Sequence, residues 1–166
     1  LALGDSVLKL AMADHFVYAA TGRSGLRIID IADPTAPVEI GVLLTAGSVE
    51  AVAVAGGTVY LADSESGLLI VDVHKPSQPT RLAAFSTSGE TQKVLVHNDI
   101  AYLADGQAGL RVVDVAQPLQ PIELGYLSSS DQTLSIAVAK DNIYVADRMG
   151  GLSILYANQK ASASGH

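Results

Sequence analysis

The sequence predicts an all-β fold assembled from four copies of one small antiparallel sheet. Two regularities carry this. Tyr18, Tyr60, Tyr102 and Tyr144 stand 42 residues apart, and so do Gly25, Gly67, Gly109 and Gly151, each followed by a leucine. A period of roughly 40–45 residues with strand-like content marks a repeat architecture. No stretch sustains apolar spacing at i, i+3, i+4 and i+7, so essentially no helix is expected.

The second copy shows the elements in order: VEAVAVAGG, TVYLADSES, GLLIVDVHKPSQP and TRLAAFSTSGE. Each apolar run is short and bounded by Gly, Ser, Asp or Pro, the pattern of a strand closed by a turn. Four strands of about six residues and four turns of about four account for the period. The second strand ends in a turn that closes on Gly-Leu: ATGRSGL, ADSESGL, ADGQAGL and ADRMGGL. The glycine supplies positive φ, and Asp63, Asp105 and Asp147 are expected to cap the turn by accepting its N–H groups. A proline pair follows the third strand (Pro34/Pro37, Pro76/Pro79, Pro118/Pro121). Proline cannot donate to a ladder, so it marks the connection to an outer strand.

The third strands, LRIIDI, LLIVDV and LRVVDV, hardly alternate. A strand covered on both faces reads this way. Small meandering sheets covered on both sides stack radially, each against its neighbours, which makes a β-propeller. The expected propeller occupies residues 1–158, with blades at about 7–48, 49–90, 91–132 and 133–158, and 159–166 is expected to be a flexible tail. Leu1–Ser6 align with Leu43–Ser48. The last blade is therefore expected to be incomplete, or closed by a short N-terminal strand at Leu1-Ala2-Leu3. Three ring readings stay open: a fragment of a larger propeller, a self-closed ring of four blades, and a dimer in which two copies associate through exposed apolar sheet faces into an eight-bladed ring. A fragment is favoured, because the chain begins inside a repeat, without Met or a leader pattern.

Leu69-Ile70-Val71-Asp72 and Leu110-Arg111-Val112-Val113-Asp114, with the preceding Gly and the following Pro-x-x-Pro, closely resemble the LVIVD repeat. The resemblance covers three full copies and one partial copy. It implies four-stranded propeller blades of the kind found in bacterial and archaeal surface proteins, and hence a cell-surface or extracellular location. It specifies fold far better than function. The fourth copy departs from the pattern: Tyr156 replaces the aspartate and Pro-x-x-Pro is missing, which puts its fourth strand in doubt.

With 166 residues and 49% hydrophobic content, the chain can bury a substantial core. Its net charge of −7 and lack of clustered Lys/Arg exclude a nucleic-acid partner. There is no cysteine, hence no disulfide and no thiolate metal site. No segment approaches the roughly 18 consecutive apolar residues of a membrane span.

Candidate chemistry is sparse. Asp30, Asp72 and Asp114 could form a carboxylate ring, but packed sheets lie about 10 Å apart while calcium needs oxygens at about 2.3–2.6 Å. They are expected to accept N–H groups from the following turn. Asp63-Ser64-Glu65-Ser66 has two carboxylates but too few ligands for a calcium loop. His15, His74, His97 and His166 fall at unrelated repeat positions, so no zinc site is expected. Gly4-Asp5-Ser6 and Gly22-Arg23-Ser24-Gly25 lack the frame of a nucleophile elbow, and no phosphate loop or dinucleotide fingerprint is present. No metal, cofactor or catalytic residue is expected. The recurring tyrosines read as packing units whose hydroxyls reach backbone groups. Lys9 and Lys93 share one repeat position on the first strand, and would keep a central channel wet or hold an anion there.

What differs between copies is the better guide to function, because recurrence is explained by the shared blade. The loops between strands two and three, and those linking one blade to the next, are expected on one rim. That rim presents Arg23 and Ser24, Ser64 and Glu65, Gly106 and Gln107, and Arg148 and Met149. The inter-blade loops add Ser48, Glu90, Asp131 and Gln132. Arg23, Ser24, Ser64, Glu65, Gln107 and Arg148 are the candidate binding residues, suited to a protein or glycan surface. The expected role is a non-catalytic interaction or scaffold module of a microbial surface or secreted protein. The alternative is part of a propeller enzyme whose active site lies in blades outside this chain.

Overall fold

The structure, a computed structural model, describes residues 1, 3, 6–129, 132–140 and 142–156. Among these there are strands and turns but no helix, and so none long and apolar enough to cross a membrane. The first sheet is β1 (Lys9–Ala13), β2 (Phe16–Ala20), β3 (Leu26–Asp30) and β4 (Val38–Leu43). The second is β5 (Val49–Ala55), β6 (Thr58–Asp63), β7 (Gly67–Asp72) and β8 (Thr80–Phe85). The third is β9 (Lys93–His97), β10 (Ile100–Ala104), β11 (Leu110–Asp114) and β12 (Ile122–Leu127). The fourth has only β13 (Thr133–Ala139), β14 (Asn142–Asp147) and β15 (Gly151–Tyr156).

Every sheet is an antiparallel meander in sequence order. Among the described residues no N-terminal strand pairs with β15, the fourth sheet has three strands, and no sheet is closed. Ala2, Gly4, Asp5 and the expected tail at 159–166 lie outside the described residues.

Each complete sheet carries the same irregularity. The register between third and fourth strands shifts at Ile28/Ile29, Ile70/Val71 and Val112/Val113. A bulge at this point increases local twist and lets the outer strand splay. The glycines that open the third strands have φ of +79°, +80°, +88° and +76° at Gly25, Gly67, Gly109 and Gly151. The first three have a second reason to be glycine. A Cβ there would sit 2.2 Å from Leu43 O, 2.4 Å from Phe85 O and 2.1 Å from Leu127 O, on the departing fourth strand.

Alternation gives each sheet two faces. In the second sheet one face, the front, carries Val52, Leu61, Leu69 and Val71, which pack with Tyr18, Ala20, Leu26 and Ile28 of the first. Its back carries Tyr60, Leu68 and Ile70, which pack with Ala101, Leu103 and Val113 of the third. The back of the third, with Tyr102 and Leu110, meets Ile143 and Val145 of the fourth. Front on back is thus the single interface type, used three times. Strand β7 is buried from Gly67 to Val71, as its unbroken apolar run demands.

The stack curves about a centre. First strands β1, β5, β9 and β13 are innermost, and residues Lys9, Ala51, Lys93 and Ser135 line one common hollow of about 380 Å³. These four occupy a single repeat position, so the hollow is where the blades converge. This propeller-like arrangement is the one the sequence predicts.

The tyrosines pack between sheets as expected. Burial pushes the hydroxyls of Tyr18, Tyr60 and Tyr102 above the ordinary tyrosine range, helped by the negative charges of Asp14 at Tyr18 and Asp99 at Tyr60. The expected bonds from these hydroxyls to backbone are not formed among the described residues. The tyrosine hydroxyl that is bonded is that of Tyr144, which accepts from Asn142 Nδ2 at 3.5 Å.

Candidate interaction rim

The recurring aspartates of the third strand act within their own turns. Asp30, Asp72 and Asp114 each accept the backbone N–H two residues on, at 2.8, 2.9 and 2.8 Å. His74 Nδ1 also meets Asp72 Oδ1 at 2.6 Å. These bonds hold the Asp72 carboxyl below the usual carboxylate range. This is the Asx turn read from the sequence, and it consumes the carboxylates locally.

The aspartates that close the second strand behave in two ways. Asp63 caps its own turn, its Oδ1 accepting from Glu65 N and Ser66 N at 3.1 and 2.7 Å. Asp105 does not cap its turn. Its Oδ2 accepts from Gly89 N at 3.0 Å and its Oδ1 from Thr91 Oγ1 at 2.7 Å, tying the inter-blade loop to the sheet. Asp147 likewise takes Thr133 Oγ1 at 2.6 Å. The switch follows from one neighbour. Threonine stands at 91 and 133, but Val49 fills that position in the second sheet, and Asp63 Oδ2 is left buried without a partner.

These ties bring the two loop classes onto one rim. Gly22 and Val49 exchange backbone bonds, Thr133 N donates to Gly106 O, Ser64 N to Ser48 O and Arg148 N to Gln132 O. Arg23, Glu65, Gln107 and Arg148 are exposed on it, while Ser24 and Ser64 are half-buried. Ser64 Oγ accepts from Ser48 N at 3.2 Å. Of the rim residues named from sequence, Glu90, Gly106, Gln107 and Gln132 come together. With Ser88, Gly89 and Ala108 they line a groove of about 600 Å³ formed by the connection from the second to the third sheet, the β10–β11 loop and the residue before β13. Arg23 and Arg148 belong to the first and last blades and do not line this groove. Asp131 lies outside the described residues.

Sequence reasoning passed over Arg111. It pairs with Glu123 at 3.0 Å, lies 5.2 Å from the Tyr126 ring centroid, and donates through Nη2 to Ser88 at the groove edge. The signal was present: Arg27 and Glu39 hold the same repeat positions and pair at 2.7 Å. Among the described residues no three His, Asp or Glu side chains cluster as metal ligands.

In fold the chain resembles two computationally designed proteins. It superposes on the designed Ika4 protein with a TM-score of 0.80 at 10% identity, covering 93% of each chain. On the designed Ika8 protein the TM-score is 0.75 at 14% identity, covering 89% of this chain and 45% of Ika8, so it spans rather less than half of that protein's length. No curated protein matches the chain. The LVIVD repeat matches residues 6–45, 46–87, 88–128 and 132–155, four copies that follow the four sheets, and the chain belongs to the LVIVD repeat family.

Proposed function

We propose that the chain is a non-catalytic interaction module of a microbial surface or secreted protein, a rigid repeat scaffold that presents one polar rim to a protein or glycan surface. The carrying observation is the groove of about 600 Å³ lined by Ser88, Glu90, Gln107 and Gln132. Its walls are residues that differ between copies, set on loops braced by the buried carboxylate of Asp105. Amide, hydroxyl and carboxylate groups on a fixed frame suit hydroxyl-rich or peptide ligands. Arg23, Ser24, Ser64, Glu65 and Arg148 extend the same rim to either side. The surface location rests on what the LVIVD resemblance implies.

A glycan array and a peptide array probed with the labelled chain test this reading. A ligand whose binding falls about tenfold or more in Gln107→Ala and Gln132→Ala supports it. Binding indifferent to every rim substitution, or no binding on either array, contradicts it.

A further inference from the structure

The two ends of the arc leave apolar sheet faces uncovered. On the back of the fourth sheet Leu152 is 63% and Ile154 51% exposed, while their repeat equivalents Leu26, Leu68, Ile28 and Ile70 are wholly buried. On the front of the first sheet Leu10 is 54% and Met12 61% exposed. Their equivalents Val52 and Val54, and Val94 and Val96, pack against a preceding sheet.

Two further details distinguish these faces. Arg27 and Glu39 on the front of the first sheet repeat the Arg111–Glu123 pair, which stands on the front of the third and reaches Ser88 in the connection from the second. Tyr156 replaces the recurring aspartate at the end of β15, so the open back face gains an exposed aromatic where other copies carry charge. Ala137, Tyr144, Leu152, Ile154 and Tyr156 place no charge on that face, and the Arg27–Glu39 pair neutralises itself on the other.

We propose that a second copy of this chain occupies both faces. The front of the first sheet in each copy packs on the back of the fourth sheet in the other, repeating the front-on-back contact already made three times within one chain. A head-to-tail interface generates either a closed ring or an open filament. The chain aligns with 45% of the Ika8 chain at a TM-score of 0.75, so the same sheet arrangement occurs within a chain about twice as long, and two copies that close on each other supply that length as one ring of eight sheets. Such an association covers two large apolar faces that a single copy leaves in water.

Sedimentation velocity and native mass spectrometry on the full chain test this, with Met12→Lys as the front variant and Leu152→Glu as the back variant. Both side chains are exposed within one chain, so neither change disturbs the fold. Circular dichroism checks that point. The wild type is expected at twice the mass of one chain. Each variant alone is expected to dissociate about tenfold or more readily, because a charge enters an apolar contact. Mixing the two variants is expected to restore the pair, since the introduced lysine then meets the introduced glutamate at one junction and the other junction is unaltered. Leu119→Lys, on an exposed loop off both faces, is expected to change nothing. A wild type that stays monomeric up to about 1 mM overturns the proposal. So does a pair sensitive to one variant only, which would be an isologous contact, or a mixture that fails to re-form.

Discussion

Leu68 and Leu152 occupy the same repeat position, yet one is completely buried and the other is 63% exposed. Gly109 and Gly151 share another position and nearly the same φ, yet a Cβ on Gly109 would strike Leu127 O while one on Gly151 would meet nothing within 4 Å. The inner blades and the end blade thus carry one pattern in two environments. Neighbouring sheets and the fourth strand, rather than the residue itself, decide what each position contributes. Repeat proteins follow this rule generally, with stability summed over units and nearest-neighbour interfaces.

Substitution at paired positions breaks or sharpens that contrast. Leu68→Ala should cost about 2–5 kcal/mol, because it leaves a cavity between the second and third sheets. Leu152→Ala should cost well under about 1 kcal/mol in a single copy, and chemical denaturation of the two variants measures the gap. Equal losses would show that the ends are as enclosed as the middle. Gly109→Ala combines a left-handed backbone with a collision against backbone, and should cost more than about 2 kcal/mol. Gly151→Ala meets only the backbone term, about 1 kcal/mol. Thermal melts of the pair should differ accordingly.

Two smaller effects refine the comparison. Val49→Thr would give the second sheet the hydroxyl that Thr91 and Thr133 supply to Asp105 and Asp147. It satisfies the orphan Oδ2 of Asp63 and should stabilise by about 1 kcal/mol in urea titration. A neutral or destabilising result would mean that the hydroxyl does not reach the carboxylate. The tyrosines give a pH effect. Their folded-state pKa values lie above the unfolded value, so the neutral form is favoured by folding. Stability is fully present below about pH 10 and is lost as pH rises through the raised values. The triple variant Tyr18→Phe, Tyr60→Phe and Tyr102→Phe should flatten alkaline unfolding, and an unchanged profile would assign it to other groups.

Much of this was legible in the sequence. The 42-residue period, the Gly-Leu openings of the third strands and the proline pairs set the blades, because turn chemistry and alternation are local. The Asx role of Asp72 was readable for the same reason, since its acceptor bond spans two residues. The diversion of Asp105 from its own turn was not, because it depends on Thr91 fourteen residues away across a strand pair. The groove was partly legible. Position on the rim could be inferred for Glu90, Gln107 and Gln132, but their convergence around one hollow depends on how two blades are set against each other. Arg111 escaped notice because its partners are distant in sequence, Glu123 on β12 twelve residues away and Ser88 in the connection before β9 twenty-three residues away.

Radial packing with the first strands innermost underlies every comparison above, and cross-linking tests it most directly. The chain has no cysteine, so engineered pairs are unambiguous. Ala51→Cys with Lys93→Cys places thiols at equivalent positions on adjacent inner strands, lining the same hollow. Ala84→Cys with Tyr126→Cys does the same on outer strands β8 and β12. With a short bis-maleimide at low protein concentration, the inner pair should cross-link rapidly and the outer pair should not. Equal rates would mean sheets stacked in a straight line at a uniform spacing of about 10 Å, and would contradict the radial arrangement.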